Sequence, residues 1–217
     1  MIKRKLLAAA FAALAASAAS AATITDSFNF PEETTEISKT GTLALFDSSL
    51  GVLNSVSLTL FGSATTDITL SNTAQQNQSA RATGTVDLIF SSSLAGLDLS
   101  SFLVSLTMPT GIANIAPGDT ATFPDLTDSD SATFSPAAAL FSTAGGGTFT
   151  ITCDSLSGIG IVGGGGNIQS VQDTTAGCGA EIIYDYTART TQVPEPATLA
   201  LLGLAAFGAS RVSRRKA

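Results

Sequence analysis

Hydrophobic and polar positions alternate with a period of two along most of the chain between residues 22 and 190. Val56, Leu58 and Leu60 alternate with Ser55, Ser57 and Thr59, and Ile68 and Leu70 alternate with Asp67, Thr69 and Ser71. Val86, Leu88 and Phe90 follow a Thr83-Gly84-Thr85 lead-in, and the run from Leu103 to Met108 stops at Pro109. Phe149, Ile151 and Cys153 alternate with Thr148, Thr150 and Thr152; Ile182, Tyr184 and Tyr186 alternate with Glu181, Ile183 and Asp185. This spacing buries one face of an antiparallel sheet and wets the other. Threonine suits the wet face because its β-branch fits the pleat. Clusters of Gly, Asn, Asp and Pro, such as Asn114 to Asp119 and Gly163 to Asn167, read as turns. Eight to ten short strands without βα alternation predict an all-β single domain, an antiparallel β-sandwich of jelly-roll type. Ser135 to Phe141 is the one internal helix candidate, of two turns at most, with Ser135 as cap and Pro136 in the first helical position.

The two ends have a different pattern. Lys3, Arg4 and Lys5 precede an apolar run from Leu6 to Ala16 and a small-residue stretch from Ser17 to Ala22. These are the parts of a secretory signal peptide, placed at residues 1–21 as a signal helix, with cleavage sites at Ala19-Ser20-Ala21 or Ala16-Ser17-Ala18. At the other end, residues 191–217 hold Val193-Pro194-Glu195-Pro196, an apolar stretch from Ala197 to Ser210, and a basic tail with Arg211, Arg214, Arg215 and Lys216. A helix over that stretch would reach about 21 Å, short of the ~20 residues a comfortable span takes. It is read here as a short transmembrane helix serving as a temporary inner-membrane tether, its basic tail cytoplasmic. The prolines keep the preceding segment extended and open to a protease.

Val-Pro-Glu-Pro, a short apolar segment and an Arg-rich end together resemble the PEP-CTERM sorting signal of Gram-negative bacteria. The resemblance implies recognition by an exosortase, a membrane cysteine protease that cuts near Pro194-Glu195-Pro196, in hosts that make exopolysaccharide and biofilm. The body, over residues 22–190, resembles the choice-of-anchor E type of exported domain. The stretch from Phe46 to Leu60 and the closing Tyr184-Asp185-Tyr186-Thr187 carry that likeness. It implies an exported domain with no established activity.

Composition narrows the chemistry. The 217 residues include no His, no Trp and two Cys. A Ser-His-Asp relay, a His-ligated metal and a four-thiolate zinc site are therefore excluded. The formal net charge of −7 conceals a strongly acidic body, with 16 Asp and Glu against Lys39, Arg81 and Arg189. That field disfavours nucleic acid and anionic lipid as partners, and an acidic polysaccharide would need bridging cations.

Four features remain. Cys153 and Cys178 form an even pair in an oxidising compartment and read as a disulfide clipping the Gly158 to Gly177 excursion. Asp119, Asp125, Asp128 and Asp130 lie in a stretch read as a loop, which could donate three or four oxygens to calcium. They lack the central Gly and closing Glu of an EF loop, so solvated turn carboxylates are the simpler reading and calcium the one candidate cofactor. Gly163 to Gly166 lacks the Lys-Ser/Thr ending of a phosphate loop. Phe46-Asp47-Ser48-Ser49-Leu50 and Phe90-Ser91-Ser92-Ser93-Leu94 repeat 44 residues apart, as a duplication or a shared edge-turn geometry would produce.

The function expected from the sequence is that of a non-enzymatic envelope or extracellular-matrix protein. It would pass through the secretion machinery, be held at the inner membrane, be cut by an exosortase, and come to rest at the cell surface or outside the cell. The second reading is a carbohydrate-binding or adhesive module for exopolysaccharide. Against it stands the scarcity of aromatic side chains for a sugar platform, since Tyr184 and Tyr186 fall on the inward phase.

Overall fold

The computed structural model describes residues 21–189. The signal segment before Ala21, the Val193–Pro196 motif, the apolar stretch 197–210 and the basic residues Arg211, Arg214, Arg215 and Lys216 lie outside the described residues.

Ten strands make up the body: β1 Ala21–Thr34, β2 Ser38–Asp47, β3 Gly51–Asn72, β4 Gln78–Ser92, β5 Leu103–Pro109, β6 Ala113–Ile115, β7 Thr120–Phe134, β8 Ser142–Thr143, β9 Gly147–Gly163 and β10 Ile168–Ala188. One sheet runs β1-β10-β3-β7, and the other runs β5-β4-β9-β2-β8 with β6 paired to β4. All pairings are antiparallel except the short β2–β8 pair. Leaving aside short β6 and β8, successive strands cross from one sheet to the other everywhere but at the β4–β5 connection. That is the strand order of two Greek keys folded into a jelly roll.

The alternation read from the sequence sets the faces. Val56, Leu58, Leu60, Val86, Leu88, Phe90, Val104, Leu106, Phe149, Ile151 and Ile182 fill one core between the sheets. Ile68, Leu70, Ala80, Ala82 and Ile115 form a smaller cluster at one end. Tyr184 is buried among Phe46 and Phe141 and donates its hydroxyl to the Ala44 carbonyl at 2.7 Å. Burial foremost, with Asp26 nearby, pushes this phenol above its usual range.

Both sheets curl toward each other, so the sandwich approaches a barrel. Register shifts at Phe30/Glu33 in β1 and at Thr66/Ile68 opposite β7 mark the bends. Pro31, Pro109 and Pro124 sit in β1, β5 and β7, which are sheet-edge strands where a missing N–H costs no ladder bond.

Several expectations are corrected. The expected architecture flanked the β body with a signal helix and a transmembrane helix. Among the described residues there is no α-helix, only 3-10 turns at Ala138–Leu140 and Gly164–Gly166, and no helix is long and apolar enough to cross a membrane. The apolar run behind the transmembrane reading was already shorter than a span requires. The strands are not short either, since β3 has 22 residues and β10 has 21. Ser135 caps no helix; the single turn begins after Ala137 without a side-chain cap bond.

Candidate functional site

The body's two chain ends emerge together. Ala21 pairs with Thr187 across β1 and β10, and the Arg189 N–H donates to the Leu50 carbonyl at 3.0 Å. Pro194 follows Arg189 by five residues, a reach of at most about 18 Å. The described chain therefore begins and ends at one end of the sandwich, where Leu50 and Val52 are exposed.

Cys153 and Cys178 are joined by a disulfide with Cα atoms 6.7 Å apart. The cysteines lie within β9 and β10, which belong to opposite sheets, and both are buried. The bond therefore staples the sandwich through its core. The segment it was expected to clip as a loose excursion is largely strand, interrupted by a turn at Gly163–Gly166, where every φ is positive and only glycine is comfortable.

The four aspartates expected in a loop are not gathered. Asp125, Asp128 and Asp130 are strung along β7, and Asp119 sits in the turn before it. An extended strand at ~3.3 Å per residue separates carboxylates that a calcium loop would wrap around one point. The carboxylates of Asp128 and Asp130 already accept backbone N–H groups, and Asp125 is engaged through its own N–H. The Asp125 N–H donates to Asp67 Oδ1 at 2.8 Å, Asp128 Oδ2 accepts the Thr107 N–H at 2.7 Å, and Asp130 Oδ1 accepts the Ser131 N–H at 2.8 Å. Among the described residues no group of three or more His, Cys, Asp or Glu could hold a metal ion.

Other carboxylates do the same work of satisfying polar groups. Glu36 accepts the Ser157 N–H and hydroxyl and the Ser155 hydroxyl, and the Ser155 hydroxyl in turn accepts the Ile37 N–H. Burial acts to raise the Glu36 carboxyl, but these donors outweigh it and hold it below the usual range. Glu32 is likewise held low: burial opposes the shift, and hydroxyls of Ser63, Thr175 and Thr65 produce it. In the two repeated segments the Ser49 N–H donates to Asp47 Oδ1 and the Leu94 N–H to Ser92 Oγ, an i to i+2 side-chain turn in each.

Sequence reasoning missed a groove of about 490 Å³ on the outer face of the first sheet, lined in part by Asn29, Phe61, Ser63, Ser129 and Ser131. The pairing registers place its floor in two rows, Asn29–Gly179–Phe61–Ser131 and Gly177–Ser63–Ser129. A signal was available. Phe61 is out of phase with Val56, Leu58 and Leu60 and so belongs to the wet face.

The PEP-CTERM protein-sorting motif matches residues 192–216. The chain therefore carries an exosortase-associated sorting signal, and that signal marks it as an exported, surface-associated protein. No curated protein matches it. Among solved structures, an infectious bursal disease virus structure (Gx strain) is similar at 10% identity and a TM-score of 0.20, covering 79% of this chain and 37% of the viral one. The Cry23Aa1–Cry37Aa1 binary complex is similar at 14% identity and a TM-score of 0.24, covering 78% of this chain and 83% of that one. Parasporin-2 of Bacillus thuringiensis follows at 11% and 0.18, covering 78% and 72%. The chain thus spans little more than a third of the viral protein, and likeness at these scores bears on neither fold nor function.

Proposed function

We propose that this chain is a non-enzymatic structural protein of the envelope or extracellular matrix, cut near Pro194-Glu195-Pro196 by an exosortase. The sorting motif at residues 192–216 carries the reading. Export through the general secretion route follows from the signal-peptide pattern of residues 1–21, and a choice-of-anchor E body fits the same destination. The shared exit of both chain ends supports processing beside the body, because the motif begins no more than about 18 Å of chain beyond Arg189. An inter-sheet disulfide suits an oxidising destination. The carboxylates with shifted titration are satisfied by backbone and hydroxyl donors, which fits a structural role for them.

The test is to express the full chain in a host with its exosortase and in the same host lacking it. Processing is expected only in the first, and substitution of Pro194 and Glu195 by Ala is expected to leave the precursor uncut. Equal processing in both hosts would overturn the reading. A second reading, binding of exopolysaccharide, is favoured by one observation, the groove beside Phe61.

A further inference from the structure

Phe61 is the one aromatic side chain on the outer face of the first sheet among the described residues. It belongs to neither hydrophobic cluster and has no aromatic partner there. Its ring is laid across Gly179, where a Cβ would stand 2.5 Å from ring carbons. Glycine at that position lets the ring lie down on backbone, and the residue remains half-exposed. The neighbouring row begins with Gly177, which also leaves the floor of the groove without a side chain.

Part of the polar lining around the ring is unspent, although Ser63 donates to Glu32 and Asp130 accepts the Ser131 N–H. On this face two hydroxyl pairs bind each other across β3 and β7, Thr59 to Thr133 at 2.8 Å and Thr69 to Thr122 at 3.3 Å. The facing hydroxyls of Ser63 and Ser129 at the groove do not. Among the described residues, the Asn29 side-chain amide and the hydroxyls of Ser129 and Ser131 make no hydrogen bond, while the backbone N–H groups of the two serines donate to Asp128 and Asp130. An apolar plate ringed by unpaired donors and acceptors matches a molecule with a C–H face and a hydroxyl rim.

We propose that this groove binds an uncharged saccharide, one pyranose ring stacking on Phe61 while Asn29, Ser129 and Ser131 meet its hydroxyls. The inference sharpens the second reading above and does not depend on where the chain is cut. Charge decides against acidic sugars and nucleotides. Glu32 borders the groove through its bond from Ser63, Glu181 lies in the next row on β10 beside Thr59, and the whole body is acidic.

Affinity electrophoresis of the purified mature protein provides the test, in gels containing a mixed-linkage β-glucan, a galactomannan, a starch-type α-glucan or polygalacturonate. Retardation is expected in at least one neutral polymer and not in polygalacturonate. Phe61→Ala should weaken it at least tenfold, and Asn29→Ala and Ser131→Ala several-fold each with unchanged melting temperature. Migration unaffected by every neutral polymer, equal retardation by polygalacturonate, or retardation insensitive to both Asn29→Ala and Ser131→Ala would overturn the proposal. Failure here would leave the sorting-signal reading intact, because cleavage is measured separately.

Discussion

Asp128 on β7 accepts the backbone N–H of Thr107 on β5 at 2.7 Å, a bond from one sheet to the open edge of the other. The opposite edge is closed in the same way, with Asp26 of β1 accepting the Ala44 N–H of β2 at 2.7 Å. Edge strands with unpaired N–H groups invite pairing with other chains. Here one carboxylate on each side occupies such a donor, and the two sheets are drawn toward a barrel. Asp128→Ala and Asp26→Ala should each cost about 1 kcal/mol in urea denaturation, with Asn at either position milder because it keeps an acceptor. The double Ala variant should also self-associate more readily, as sedimentation would reveal. Unchanged stability in both single variants would remove this role.

The disulfide joins strands of opposite sheets through a chain separation of 25 residues. Loop-closure entropy for that separation amounts to about 3.5 kcal/mol. Cys153→Ala with Cys178→Ala should therefore lower unfolding stability by at least about 3.5 kcal/mol, since the alanines leave a small void as well. A loss below about 1 kcal/mol would show that the sandwich holds without its staple.

Glu32 and Glu36 both have folded-state carboxyls below the ordinary glutamate range. A depressed carboxyl contributes stability that is present above its unfolded value and fades as pH falls through the folded one. Stability should thus decline on acidification below roughly pH 4.5. Relief of repulsion among the body's acidic groups works in the other direction, so the comparison must be with variants. Glu32→Gln and Glu36→Gln should flatten the decline relative to the parent chain in chemical denaturation from pH 7 to pH 3. An identical pH profile in parent and variants would contradict the assignment.

Gly179→Ala tests the bedding of Phe61. The new methyl would sit 2.5 Å from both the Phe61 ring and the Phe28 carbonyl oxygen. Backbone cannot yield cheaply on the Phe28 side, so a loss of about 1–3 kcal/mol is expected, together with greater solvent exposure of Phe61. Thermal denaturation and limited proteolysis would detect both. A fully stable variant would mean that the ring does not rest on this glycine.

Most of the core was legible because period-two alternation is a local signal. Val56, Leu58 and Leu60, or Phe149, Ile151 and Cys153, need only their neighbours to declare a face. What local pattern cannot show is pairing. Asp125, Asp128 and Asp130 read as a loop because aspartate is poor in strands, yet on an edge strand Asp128 reaches across to the Thr107 N–H and Asp125 gives its own N–H to Asp67 of β3. Long-range registry overrode propensity there. The groove was hidden for the same reason: Asn29, Gly179, Phe61 and Ser131 are distant in sequence and become neighbours only once β1, β10, β3 and β7 are placed in order. The transmembrane reading falls on residues 197–210, outside the described residues; among the described residues no helix is long and apolar enough to cross a membrane.

Mass spectrometry of the protein recovered from the cell surface and medium bears most directly on the claim that this chain is sorted and cut. Peptide mapping should find a new carboxyl terminus close to Pro194-Glu195-Pro196, with no peptide from Leu199 to Lys216 in the mature form. Recovery of surface protein that still carries Arg211, Arg214 and Arg215 would contradict the account.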